Sequence, residues 1–303
     1  LKGDDTAIPL GCTTVVTGVS GSGKSSLVHD VLYAGLQRLM GGYAGEVGAC
    51  TSIEGTEHIQ SVEMIDQSPI GRSSRSTPAT YTKVFDAIRD VFAATQSAKQ
   101  LGWKAGHFSF NVAGGRCDIC EGEGVVTIEM QFLPDIELPC EACNGTRYKR
   151  EAQSIQYKDK SIIDVLGMTV DEAHQHFAGV QRIVSKLRLL QAVGLGYIRL
   201  GQPSTHLSGG EAQRVKLATH LESSVDGHTM FIFDEPTTGL HFKEIEILMN
   251  VLNKLVDHGG SVLVVEHNQD VIRHSDYVID LGPDGGKLGG EIIAQGTPLD
   301  IMN

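Results

Sequence analysis

The sequence predicts an α/β phosphate-loop domain interrupted by a zinc-binding insertion, on three observations. The first is GVSGSGKSS, Gly18 to Ser26, lying between a short apolar run and an amphipathic one. The second is a pair of Cys-x-x-Cys knuckles, Cys117/Cys120 and Cys140/Cys143, with nineteen residues between them. The third is an apolar run that ends in Asp234-Glu235-Pro236.

In chain order, residues 12–17 read as a buried strand, and Leu27, Val28, Val31 and Leu32 fall on one face of a helix. Between them Gly18, Gly23, Lys24 and Ser25 meet the G-x-x-x-x-G-K-[ST] spacing. Gly21 and Gly23 let the backbone curl so that N–H groups point at phosphate oxygens. Ser20, Ser22 and Ser26 complete the loop, and the helix start adds partial positive charge. Lys24 is placed to neutralise β/γ-phosphate charge, and Ser25 to offer its hydroxyl to Mg²⁺. Residues 1–11 carry no aromatic ring, so no base-stacking platform precedes the loop. Residues 41–55 are glycine-rich and read as a loop.

A strand over residues 61–66 ends at Gln67. The polar stretch 68–82, with Arg72 and Arg75, reads either as a solvated loop or as a segment through which Gln67 reaches Mg²⁺ or an attacking water. Val84, Ile88, Val91 and Phe92 form a core-facing helical stripe. His107 reads as structural. The spacing of Cys117, Cys120, Cys140 and Cys143 fits a closed, structural tetrahedral Zn²⁺ site, a redox pair being the alternative. Between the knuckles Val126, Ile128, Met130 and Phe132 alternate with Thr127, Glu129 and Gln131, the pattern of a half-buried strand. Cys12 and Cys50 remain free, with Cys12 expected to be buried. Arg147, Lys149, Arg150, Lys158 and Lys160 outnumber Glu151 and Asp159, giving either a phosphate-contacting patch or a solvated face.

Residues 164–177 and 181–193 read as helices. LSGGEAQR follows, with Ser208 as N-cap and Gly209 and Gly210 leaving the first amides unshielded. This second phosphate-facing helix start has no lysine, and cannot serve the phosphate of Lys24 from the same side unless two chains pair face to face. Residues 229–233 form an apolar strand leading to Asp234, which orders the Mg²⁺ shell, and Glu235, which polarises water for attack. Residues 261–265 form another strand, ending at Glu266 and at His267, where a γ-phosphate sensor would sit. Short strands over 277–281 and 291–295 close the domain.

Composition narrows the function. Of 303 residues, 41% are hydrophobic, enough for a real core, and the net charge of −12 argues against bulk electrostatic adhesion to nucleic acid. No apolar run reaches the roughly 20 residues of a membrane span, no signal-peptide pattern opens the chain, and a cytoplasmic, membrane-free protein is expected. The chain begins at Leu1, which suggests a fragment.

The ordered set GVSGSGKS, Gln67, LSGGE, IFDEP and His267 resembles an ATP-binding cassette ATPase. DQSPIGRSSRSTPATYT, FSFNVAGGRCDIC, LGQPSTHLSGGEAQR and EHNQDVI are similar to the C-terminal cassette of the UvrA family, the damage-recognition ATPases of bacterial nucleotide excision repair. The resemblance implies that Lys24 and Ser25 bind ATP and Mg²⁺, and that Gln67 lines the site. It implies that Ser208, Gly209 and Gly210 contact the γ-phosphate of a partner cassette, and that Asp234, Glu235 and His267 complete hydrolysis. It also implies that a Zn²⁺ module with a β-hairpin reads distorted duplex DNA. Residues 237–241 stand where other cassettes carry their dimer loop. The family's N-terminal cassette and its docking domain for a UvrB-like helicase are absent, which leaves that helicase a weaker candidate partner than a second cassette. A drug-resistance or regulatory ATPase of the same kind, and a transporter motor, are the rival readings. The expected layout is 1–85 for the first part of the cassette, 86–164 for the zinc insertion and 165–303 for the signature region and remainder.

Overall fold

The computed structural model describes residues 1–42, 45–130, 135–221 and 228–302. Among them are ten strands: β1 (Thr13–Gly18), β2 (Ser61–Ile65), β3 (Val125–Ile128), β4 (Ile136–Pro139), β5 (Gln156–Tyr157), β6 (Lys160–Ser161), β7 (Thr229–Asp234), β8 (Ser261–Val265), β9 (Tyr277–Gly282) and β10 (Glu291–Gly296). The chain divides into two compact units, Leu1–Gln67 with His220–Asn303, and Ser68–Thr219.

The first unit is built on a six-stranded sheet in the order β10-β9-β1-β8-β7-β2. All neighbours are parallel except β10, which runs antiparallel to β9. Parallel strands are covered on both faces and so read as continuous apolar runs. Val15, Val16, Ile232, Phe233, Leu263 and Val264 are accordingly fully buried, with Val265 nearly so. The register places Val265 opposite both Val16 and Asp234, so the carboxyl ends of β1, β7 and β8 finish level. Ligands of open α/β sheets bind at such ends. The helix after the phosphate loop is π-wound over Ser26–Tyr33 and continues as an α-helix over Ala34–Leu39. No helix among the described residues is long and apolar enough to cross a membrane.

The second unit is helical with two small hairpins. The Val84–Ala93 helix buries Val84, Ile88 and Phe92 of the predicted stripe and also Phe85, while Val91 is only half-buried. These side chains meet an aromatic cluster: Phe85–Phe110 and Phe92–Phe108 ring centroids lie 5.2 and 5.6 Å apart. Tyr148 is buried against Phe110 and donates its hydroxyl to the Phe108 carbonyl at 2.7 Å.

Three sequence expectations are corrected here. The single helix expected over residues 164–177 is two, Ile162–Gly167 and Val170–His176. Thr169 is extended and forms a capping box with Glu172, which starts a new helix rather than continuing the old one. The strand expected to be half-buried pairs instead as the β3–β4 hairpin. Val126, Ile128, Ile136 and Leu138 all remain exposed, because among the described residues nothing covers the apolar face of this two-stranded sheet. Gln131 and Phe132 lie outside the described residues. Cys12 is only half-buried, at the start of β1.

Candidate functional site

The phosphate loop leaves β1 at Gly18. Gly18, Gly21 and Gly23 all have positive φ, of 134, 78 and 102°, which a side chain would disfavour. Lys24 is buried, 6% exposed, with Nζ donating to the carbonyls of Gly18 and Val19 at 2.9 and 2.8 Å. Burial lowers the Lys24 ammonium below its usual range, opposed by the carboxylates of Glu235, Asp280 and Asp234. Three acids thus face the lysine within one unit.

Glu235 follows β7 in a left-handed conformation, φ 43°. Strain of this kind costs about 1–3 kcal/mol and persists only where the surroundings over-determine it. Its N–H donates to the Val265 carbonyl at 2.9 Å, and its own carbonyl accepts from Gln67 Nε2 at 3.0 Å. Its carboxylate Oε1 lies 3.7 Å from His267 Nε2. The structure therefore brings Lys24, Gln67, Asp234, Glu235 and His267 together in the first unit. Gln67 meets Glu235 through a backbone carbonyl, a contact that spacing alone could not supply.

Ser208, Gly209 and Gly210 lie in the second unit, at the start of the Gly209–His220 helix. Ser208 Oγ accepts from Glu211 N–H at 3.2 Å while the Glu211 carboxylate accepts from Ser208 N–H at 2.8 Å, a reciprocal cap. Tyr197 donates its hydroxyl to the same carboxylate at 2.8 Å.

The four cysteines are buried, and their Sγ atoms all lie within 4.8 Å of one another. Cys117–Cys140 and Cys120–Cys143 are 4.0 and 3.7 Å apart. A disulfide needs about 2.05 Å, whereas a tetrahedron with Zn–S near 2.3 Å has edges of roughly 3.8 Å. The four buried thiols at these spacings fit a zinc site, and no disulfide joins them. Both knuckles turn alike, with positive φ at Glu121 and Gly122 after Cys120 and at Asn144 and Gly145 after Cys143. Burial, together with the neighbouring thiols, pushes Cys143 up to about 12 without a metal. A cation would make four thiolates tenable.

Of the five basic residues after the knuckles, Arg147 is buried, Lys149 is half-buried, and Arg150, Lys158 and Lys160 are exposed. Arg147 is buried with its guanidinium 4.9 Å above the Phe110 ring, Lys149 pairs with Asp118 at 2.8 Å, and Lys158 donates to the His176 carbonyl at 3.0 Å. His107 is structural: Nδ1 accepts from Lys104 N–H at 3.1 Å and the ring stacks on Trp103.

Sequence reasoning missed two neighbours of the phosphate loop. His29 Nε2 lies 3.2 Å from Asp234 Oδ2, and the nearby carboxylate raises the imidazole above its usual range against the effect of burial. The glycine-rich segment 283–290 packs on the loop itself: Gly286 N–H donates to Gly21 O at 3.0 Å and Gly290 N–H to Ser22 O at 2.9 Å. Its four glycines were the available signal. A Cβ on Gly285 would sit 2.7 Å from Ser20 O. Gly285→Ala should therefore displace the phosphate loop, at about 1–3 kcal/mol, weakening ATP binding roughly 5- to 150-fold. Titration with a fluorescent ATP analogue checks this, and unchanged affinity would show that segment 283–290 does not brace the loop.

No protein-family model matches the chain. Over 301 residues, 99% of the chain, it is 54% identical to UvrABC system protein A of Deinococcus radiodurans. It is 56% identical over the same share to UvrABC system protein A of Staphylococcus aureus strain COL. The chain spans 30% and 32% of those two proteins. Among solved structures it is similar to UvrA2 from Deinococcus radiodurans, with TM-score 0.88 and 51% identity over 97% of this chain and 35% of that one. The resemblance expected from the motifs is borne out over the full chain, as is an α/β phosphate-loop fold of ATP-binding-cassette type.

Proposed function

We propose, from a chain similar along its whole length to one third of a UvrA-type protein, that it is an ATP-binding and ATP-hydrolysing cassette of nucleotide excision repair, working on DNA in the cytoplasm. The observation that carries this is the convergence of Lys24, Asp234, Glu235 and His267 around the level carboxyl ends of β1, β7 and β8.

On this reading Lys24 exchanges the Gly18 and Val19 carbonyls for phosphate oxygens, and the loop amides hold the rest of the triphosphate. Ser25 and Asp234 would hold Mg²⁺, which neutralises phosphate charge when bound. Glu235 orients and deprotonates the attacking water, while His267, in reach of the same carboxylate, senses the γ-phosphate. Gln67 fixes Glu235 by its backbone and so reports on nucleotide state to the segment that follows. The Ser208–Gly210 helix start completes the site of a second cassette, so two cassettes close on ATP. Closure and hydrolysis move the zinc-bearing units against DNA.

Sedimentation velocity with a non-hydrolysable ATP analogue tests the pairing. The chain should shift to a two-copy species, and Lys24→Ala should not. A chain that stays single at saturating nucleotide would remove the face-to-face arrangement.

A further inference from the structure

Glu266 is 3% exposed, and the reaction outlined above assigns it nothing. Its carboxylate divides its bonds by oxygen. Oε1 accepts from Thr237 N–H at 2.9 Å and from the Thr237 hydroxyl. Oε2 accepts from His267 N–H at 2.6 Å and from Asn268 N–H at 2.8 Å. All four donors are neutral and come from two segments. One follows Glu235 by two residues, and the other contains His267. The backbone N–H of Glu266 itself donates to Val16 O at 3.1 Å, which anchors the bridge to β1, the strand of the phosphate loop.

We propose that Glu266 is a positioning residue that sets the spacing between Glu235 and His267 by tying the loop after β7 to the turn after β8, one oxygen to each. The inference rests on the ATPase reading for its catalytic consequence, but the bridge itself does not. A carboxylate is the side chain that fits, because both of its atoms only accept. A glutamine of the same size carries one acceptor and one donor. It satisfies one segment and sets an N–H against N–H donors of the other.

The test compares the wild-type chain, Glu266→Gln, Thr237→Val and the double variant. In the nucleotide-free protein, hydrogen exchange at the amides of Thr237, or of His267 and Asn268, should speed up at least about tenfold in Glu266→Gln, the scale of losing one hydrogen bond to a charged group. Exchange elsewhere in the β1–β8 sheet should stay as in wild type. In turnover, kcat should fall roughly 10- to 150-fold with KM for ATP and binding stoichiometry unchanged. A purely structural role would instead lower stoichiometry and speed exchange across the sheet. Thr237→Val keeps its backbone donor and should have a smaller effect, non-additive with Glu266→Gln. Unchanged exchange in Glu266→Gln overturns the bridge. Accelerated exchange with unchanged kcat overturns its role in catalysis. A wild-type chain that hydrolyses no ATP would count against the ATPase reading, while the exchange result still decides the bridge.

Discussion

Glu235→Gln is expected to bind ATP as tightly as the wild-type chain and to lose about 10²- to 10⁴-fold in turnover, the contribution of a well-placed general base. The substitution is clean for a structural reason. The left-handed backbone at Glu235 is pinned by its N–H on the Val265 carbonyl and by Gln67 on its own carbonyl. Neither pin uses the carboxylate, so an amide of equal size leaves the loop in place. What it removes is the acceptor that takes a proton from water. The contact to His267 at 3.7 Å should survive in altered form, so the variant should also trap the nucleotide-bound state. Turnover and nucleotide affinity measured on one preparation decide the matter. Retention of more than a tenth of the wild-type rate would assign the base elsewhere.

Cys140→Ser should reduce bound zinc from one per chain to near none. Structural zinc in small knuckles is held by on the order of 10 kcal/mol, and that binding energy is folding energy. Most of it should be lost from the two knuckles, whose buried cluster is the four cysteines themselves. The damage should spread to Tyr148 and Phe110, since Cys117 N–H donates to Arg147 O at 2.8 Å and Arg147 covers Phe110. Elemental analysis gives the stoichiometry, and amide exchange at Cys117, Gly145 and Thr146 gives the extent. The β1–β8 sheet draws none of its strands from this region and should keep its protection. Full zinc content in the variant would mean that the fourth ligand lies elsewhere.

Motifs built from local pattern are legible in the chain. The glycine loop with its lysine, the carboxylate pair after β7 and the two knuckles each need neighbours only a few positions away. Sequence also placed the six strands of the large sheet, most plainly β1, β7 and β8, because buried parallel strands read as apolar runs. Contacts that span long stretches of chain were not readable. His29 meets Asp234, and segment 283–290 braces the phosphate loop, through folding of the backbone that no spacing encodes. Burial of a single basic residue shows this limit too: Arg147 reads as surface charge in the sequence, yet its guanidinium is buried over the Phe110 ring. The exposed apolar face of the β3–β4 hairpin marks the same limit. Alternation predicts which side is apolar, and only tertiary structure decides whether anything covers it.

The place of β1 in its sheet has a consequence for biosynthesis. Its two partners, β8 and β9, begin at Ser261 and Tyr277, so β1 emerges from the ribosome long before either. At translation speeds of about 5–20 residues per second, the wait is roughly 12–50 s. Residues 68–219 are complete within that interval and can take up their metal while the flanking halves are still unpaired. Nascent chains carrying this segment should therefore be most vulnerable to chaperone capture and proteolysis at the edges of β1, until β8 and β9 have been made.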